Sequence, residues 1–62
     1  MKFERYTIVP LRNHADPVEC VERLAQFWGL YGVDEHDNAY AIGDFSSKAD
    51  AEQIRSGIES HT

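Results

Sequence analysis

Five consecutive residues near the middle of the chain have side chains of the kinds that bind metal ions. They run from Asp34 through Glu35, His36 and Asp37 to Asn38. Loops rich in carboxylates bind calcium, but the EF-hand spacing needs a glycine at the sixth position and a glutamate at the twelfth. Here those positions hold alanine and phenylalanine. We therefore interpret the segment as the solvated tip of a hairpin rather than as a metal site.

The histidines and the single cysteine do not form a catalytic or zinc-binding pattern either. His14, His36 and His61 are too far apart in sequence for the short ligand spacing of a zinc motif. Cys20 and His14 would be the one nucleophile and base pair, but a thiolate is disfavoured beside Glu19. Cys20 is better interpreted as a small, partly buried helix residue. We expect no enzyme activity, no metal and no cofactor.

The acidic residues are the remaining groups with a possible role in recognition. Residues 1–33 carry four acids and four bases, whereas residues 34–62 carry seven acids and two bases, so the whole net charge of −5 belongs to the second part. Clustered carboxylates steer a protein towards a basic partner. We predict that they bind such a partner with two tyrosines as aromatic anchors. The predicted partner-binding residues are Asp34, Glu35, Asp37, Asp44, Asp50, Glu52, Tyr31 and Tyr40.

The same acids also have an ordinary explanation. Asp50 would lie in the first turn of a helix, where a negative charge favours the helix dipole. Glu52 would pair with Arg55 three residues on. A net charge of this size also serves solubility alone. Only Asp34, Glu35 and Asp37 lack such an explanation in the sequence.

The elements that position these residues begin with a strand and a helix. Phe3–Val9 is rich in β-branched and aromatic residues and is predicted to be a strand. Pro10 cannot donate to a sheet, so the strand should end there or lie at an edge. Asp16 is a good helix cap and is followed by a proline suited to the first helical position. Apolar residues then recur at helical spacing, which predicts a helix over Pro17–Phe27.

A hairpin and a second helix complete the predicted order. Leu30–Asp34 and Ala39–Phe45 have strand composition, with the acidic loop between them. Ser47 is the predicted cap of the second helix, which Gly57 should fray or end. The predicted fold is α+β, a single domain over residues 1–62 in the order β-α-β-β-α. Its three-stranded sheet carries both helices on one face.

This arrangement predicts which apolar residues are buried and which are left on the uncovered face of the sheet. The expected core consists of Tyr6, Ile8, Val21, Leu24, Trp28, Leu30, Ile42, Phe45, Ile54 and Ile58. The uncovered face is expected to hold Phe3, Val9, Tyr31, Val33 and Tyr40. An apolar patch rimmed by acids is typical of an interaction site.

Composition narrows the class of protein. The chain has 62 residues and is 42% hydrophobic, which suits one small folded domain of marginal stability. No apolar run approaches the roughly 20 residues of a membrane span, and no secretory signal is evident. A single cysteine fits a reducing compartment, so we expect a cytoplasmic location. The acidic charge disfavours direct binding of nucleic acid, because phosphate contacts need clustered lysine and arginine.

One stretch of the chain carries a resemblance. Residues 28–34, 39–45 and 47–52, which read WGLYGVD, AYAIGDF and SKADAE, resemble hairpin-helix units in small proteins of phages and mobile elements. With its size and acidity, the chain looks like a phage anti-CRISPR protein. The resemblance implies a stoichiometric inhibitor in the bacterial cytoplasm. Acidic members of that group dock as phosphate surrogates on basic DNA-binding surfaces, in type I systems on the subunit that reads the motif flanking the target.

Two hypotheses follow from the sequence. In the first, the chain is a non-enzymatic inhibitor whose acids block the basic, DNA-binding surface of a CRISPR effector complex. In the second, it is a small cytosolic regulatory module that self-associates through its open sheet face, with the acids serving solubility. The first predicts binding that weakens with salt, and the second a dimer that is insensitive to salt. The free chain is expected to be a monomer or a weak homodimer.

Overall fold

The computed structural model describes residues 3–60, which form a four-stranded antiparallel sheet and one helix. The elements are β1 (Arg5–Arg12), β2 (Val18–Glu19), a 3-10 turn (Glu22–Leu24), β3 (Phe27–Val33), β4 (Ala39–Phe45) and α1 (Lys48–Ser60). The strand order is β2-β1-β3-β4. The expected three strands and two helices are therefore wrong, because the order is β-β-β-β-α, although the chain keeps α+β character.

The predicted helix over Pro17–Phe27 is replaced by β2, the 3-10 turn and the start of β3. Isolated helices shorter than about 12–15 residues are marginal, so tertiary pairing overrides the local capping signals. The backbone N–H of Cys20 donates to the carbonyl of Pro10 at 3.0 Å, and that of Gln26 donates to the carbonyl of Leu11 at 2.8 Å. Pairing with β1 thus holds this segment in an extended path.

Pro10 does not end the first strand, which continues to Arg12. Its carbonyl faces Cys20, on the side of β1 away from β3. The ring nitrogen of Pro10 faces the same side, because the N–H and C=O positions of one strand residue point to the same neighbour. The proline therefore costs the β1–β3 pairing no hydrogen bond, which is the edge position that proline tolerates.

Strand register shows which side chains share a face. Ile8 lies opposite Leu30, and Leu30 lies opposite Gly43. α1 covers this face, since the ammonium of Lys48 lies 5.8 Å from the ring centroid of Trp28. Ala51 is the buried residue of the helix. An extra residue in β4, Ile42, forms a bulge between the partners of Leu30 and Tyr31 in β3.

The core differs from the expected set. The buried apolar residues are Leu11, Phe27, Leu30, Val33 and Ala51. Of the expected core only Leu30 is among them. Tyr6, Ile8, Trp28, Phe45 and Ile58 are half-buried. Val21, Leu24, Ile42 and Ile54 are exposed.

The exposed members of the expected core have separate structural reasons. Val21 and Leu24 are exposed because the helix meant to aim them at the sheet is absent. Ile42 is the bulge residue of an edge strand. In α1 it is Ala51 that packs directly on the sheet, while Ile54 is 45% exposed. A small side chain at the closest approach lets the helix lie near the strands.

The expected face is correct for three residues and wrong for two, but one of the three, Val33, is buried at 4% exposed rather than uncovered. Val9, Tyr31 and Val33 lie on the face away from α1. Side chains alternate along a strand, and these residues are an odd number of positions from Ile8 or Leu30, which face α1. Tyr40 lies opposite Gly32 on the α1 face. The ring of Phe3 also contacts Gly32 on that side, because a β-carbon built on this glycine would lie 2.5 Å from Phe3 Cδ2.

Candidate binding surface

The acidic hairpin tip is an ordered loop between β3 and β4, and Asp34 holds it together. The carboxylate Oδ1 of Asp34 accepts the backbone N–H groups of His36 and Asn38, each at 2.9 Å. The backbone N–H of Asp34 donates to the carbonyl of Asn38 at 3.0 Å. Asp37 takes a left-handed backbone conformation with φ of 66°. An aspartate that bonds its own loop is a common turn device, so Asp34 has a structural role.

The carboxylate of Asp34 also accepts the hydroxyl of Tyr40 at 3.2 Å through Oδ2. The backbone N–H of Asn38 is the main cause that lowers the pKa of Asp34 below its usual value, with His36 and Tyr40 adding to it against a smaller opposing desolvation. The hydrogen bond between the Tyr40 hydroxyl and Asp34 raises the pKa of Tyr40, because the carboxylate holds the hydroxyl proton. The two groups therefore stabilise each other's ordinary charge state near neutral pH.

Exchanging Asp34 for asparagine tests this link. The variant Asp34→Asn keeps a side-chain oxygen for the loop but removes the charge, so the pKa of Tyr40 should fall back towards its ordinary value of about 10. An NMR titration with tyrosine labelled at Cζ follows each ring separately. The matched control is Glu35→Gln, which removes one charge from the same tip without touching Tyr40. An unchanged Tyr40 titration in Asp34→Asn contradicts the link.

The lowered pKa of Asp34 also has a consequence for stability in acid. A carboxyl whose folded pKa lies below its unfolded value stabilises the fold above the unfolded value, and this contribution is lost as the pH falls through the folded pKa. The unfolded value is close to 3.8. The wild type should therefore lose stability below about pH 4 more steeply than Asp34→Asn.

The other two acids of the tip already have neighbours of opposite charge. Asp37 Oδ1 lies 2.6 Å from the guanidinium of Arg5, at the start of β1. Glu35 lies 3.5 Å from the imidazole of His36, a contact that becomes an ion pair when the histidine is protonated. The tip is thus less strongly negative than its sequence suggests.

The remaining predicted acids lie elsewhere. Asp44 is at the far end of β4, roughly 20 Å from the tip at about 3.3 Å per strand residue. Asp50 is in the first turn of α1, where its backbone N–H donates to the hydroxyl of Ser47 at 3.1 Å, as a helix cap requires. Glu52 does not pair with Arg55 as expected, because the guanidinium lies 3.7 Å from Glu59 instead.

The eight predicted binding residues therefore do not form one surface. Three acids lie at the hairpin tip, one at the opposite end of β4 and two on α1. Tyr31 and Tyr40 point to opposite faces of the sheet. Tyr40 lies opposite Gly32 and shares its face, and Gly32 follows Tyr31 directly in β3, so it is on the other face from Tyr31.

The face of the sheet away from α1 is the most coherent surface. Val9, Leu11, Tyr31 and Ala39 line a shallow depression of about 190 Å³ there, together with Glu19 from β2. The ring of Tyr31 lies along the strand over Gly29, where an added β-carbon would be 2.8 Å from Tyr31 Cε1. This close approach explains why a glycine stands in the middle of β3. We call this surface the open face.

One end of the open face is covered and its sides are acidic. The imidazole of His14 stacks on Phe27, with ring centroids 4.1 Å apart. Asp44 lies opposite Gly29 and so shares this face, and Glu19 lies opposite Leu11. Glu19 was missed by the sequence analysis, which placed it on a helix. A two-residue strand gives no periodic signal from which to find it.

Residues 3–60 contain no group of three or more metal-binding side chains close enough to share an ion. In that part of the chain no helix combines the length and the apolar character needed to cross a membrane. A scan against protein-family models gives no match. Searches among curated proteins and among solved structures find no significant similarity to this chain.

Proposed function

We propose that this chain is a small, non-enzymatic protein-binding domain that docks through its open face. The observation that supports the proposal is the shallow apolar depression around the half-buried Tyr31, which no helix covers within residues 3–60. Apolar patches of this kind on a small domain are typical of interaction sites. A tyrosine at the centre supplies contact area with little loss of side-chain freedom.

The charges around the open face favour a partner with basic residues. Glu19 and Asp44 lie on the same face as the apolar centre. They flank it from the two opposite edges of the sheet, in β2 and β4. Protein interfaces combine an apolar centre with a polar rim, and complementary charges at the rim increase the association rate. The partner surface is therefore proposed to have an apolar centre bordered by lysine or arginine.

A narrower form of the proposal concerns the nature of that basic partner. We propose that its surface normally binds nucleic acid, and that the chain acts in the bacterial cytoplasm as an inhibitor of the anti-CRISPR type. The net charge of −5 supports this form. Of the eleven acids that contribute to it, Asp37 is paired with Arg5 and Glu22 with Lys48. The carboxylates flanking the open face have no such neighbour in residues 3–60, so they carry the proposed contact.

A matched pair of arginine variants tests the open face. Ala41 is exposed and lies beside Tyr31 on this face, so Ala41→Arg adds bulk and positive charge where the partner would dock. Gln53→Arg makes the same charge change at an exposed position of α1, which covers the other face of the sheet. Circular dichroism checks that both variants fold.

The readouts are capture of a cross-linked partner from bacterial extract and protection of phage in a host with a type I CRISPR system. We expect Ala41→Arg to lose both, Gln53→Arg to keep both, and high salt to weaken capture. Equal behaviour of the two variants contradicts the role of the open face. A dimer that is insensitive to salt and that Ala41→Arg disrupts in sedimentation would instead assign the face to self-association.

A further inference from the structure

The outer edge of β1 is only partly occupied. β2 pairs with Leu11 and Arg12 alone. The first part of β1, from Arg5 to Val9, pairs with β3 on one side and has no strand on the other within residues 3–60. An unpaired edge of this length presents backbone groups that another strand can use.

The hydrogen bonds at the end of β1 show which backbone groups point outward. The carbonyl of Pro10 accepts the N–H of Cys20 on the outer side, whereas the carbonyl of Leu11 accepts the N–H of Gln26 on the β3 side. Successive residues of a strand point to opposite edges. The N–H and C=O groups of Tyr6 and Ile8 therefore point outward, towards the side that has no strand.

A groove of about 340 Å³ lies along this edge. Tyr6, Thr7 and Ile8 of β1 all line it and no residue of β3 does, which places it on the outer side of β1. Glu52 and Arg55 of α1 form the opposite wall. The groove opens on the α1 side of the sheet and meets the open face at Thr7, which lines both.

The charges in the groove leave one carboxylate without a partner. Lys48 lies 3.2 Å from Glu22, and both line the groove. Arg55 is paired with Glu59. Glu52 has no cationic neighbour within ion-pair distance in residues 3–60. The groove therefore matches a strand that brings a positive charge.

We propose that this groove binds an extended peptide segment of a partner as an additional strand beside β1. The peptide's main chain pairs with the outward groups of Tyr6 and Ile8, and a lysine or arginine on its α1 side faces Glu52. The peptide side chains on either side of this basic residue point to the other face of the sheet. There they lie beside Thr7 and Val9 and extend the open face, so we expect them to be apolar. Strand addition of this kind draws affinity from main-chain bonds and specificity from alternate side chains.

The other free edge of the sheet is a poorer template. β4 carries the bulge at Ile42, which interrupts the regular alternation of hydrogen-bonding groups. Bulges at edges are a common protection against strand pairing. No bulge interrupts the pairing of β1 with β3.

The test uses a synthetic peptide of alternating lysine and valine, blocked at both ends, and hydrogen exchange followed by NMR. We expect saturable binding with slower exchange of the Tyr6 and Ile8 amides. A glutamate and valine peptide should bind at least threefold more weakly, the scale of a partly exposed ion pair. A lysine and valine peptide N-methylated at every residue should not bind, since it lacks all the N–H donors for pairing.

Variants on one helix separate the groove from general charge attraction. Glu52→Gln and Asp50→Asn each remove one negative charge from α1, but only Glu52 lines the groove. Glu52→Gln should weaken the lysine and valine peptide about threefold, and Asp50→Asn by less than about twofold. The proposal is overturned if the peptide fails to bind, if protection appears on β4 instead, or if the N-methylated peptide binds as well.

Discussion

Replacing Leu30 with alanine is expected to lower the free energy of unfolding by about 2–5 kcal/mol. Leu30 is 0% exposed and is the largest fully buried side chain in the described residues. It lies at the centre of β3 between Ile8 and Gly43, under α1. The glycine offers no side chain that could fill the space, so the cavity left by the substitution should persist. A domain of this length has a total stability of only about 3–9 kcal/mol, so the loss should be a large fraction of the total.

Urea denaturation followed by circular dichroism measures this effect. The matched control is Val21→Ala, which also truncates an apolar side chain but at a position 56% exposed. Its stability should change by no more than about 0.5 kcal/mol. The helix predicted from sequence would have made Val21 a core residue, so the pair also distinguishes the two folds. Similar losses in both variants would contradict the core described here.

The parts of the fold that could be predicted from sequence are those with local causes. The β4 strand, the loop after Asp34 and the Ser47 cap of α1 each depend on residues within a few positions of one another. Asp34 closes its own loop, and Ser47 accepts the N–H of Asp50. Such bonds join residues that are close in sequence, so the sequence is enough to predict them.

The segment from Pro17 to Phe27 shows why the rest could not be predicted. Its helix signals are real but weak, and the competing interactions come from residues outside it. Pro10 accepts the N–H of Cys20, and Leu11 accepts that of Gln26. Both bonds join the segment to β1, which lies outside it. The spacing of apolar residues within the segment does not indicate pairing with β1. β2 has only two residues, too few to show an alternating pattern.

The binding site was harder to predict for a similar reason. Acids that are close in sequence predict a single surface, but a hairpin separates its tip from its far end, and α1 carries other acids elsewhere. Charge alone also does not distinguish Asp34, which bonds its own loop, from Asp44, which has no ion pair in residues 3–60. The open face was partly predictable, because Val9 and Tyr31 follow from strand alternation.

Replacing Gly32 with alanine is expected to lower the free energy of unfolding by about 1–3 kcal/mol through overpacking. The new β-carbon would lie 2.5 Å from Phe3 Cδ2 and 2.6 Å from Phe3 Cγ, so the ring must leave its place. That ring packs edge-on against Tyr6 with centroids 5.8 Å apart and lies 5.9 Å from the ring of Tyr40. Denaturation with urea and the ring resonances of Phe3 would both report the change.

A double-mutant cycle with Phe3→Ala separates the clash from any general effect of alanine in the strand. With the ring removed, Gly32→Ala should cost little, since its main obstacle is gone, and the two changes should be non-additive. Gly57→Ala is the matched control, because nothing lies within 4 Å of its added β-carbon. In a helix that substitution should stabilise the fold by about 0.5–1 kcal/mol. Additive costs at Phe3 and Gly32 would show that the ring does not occupy the space above the glycine, and the three-ring cluster that joins the start of the chain to the hairpin would then be wrong.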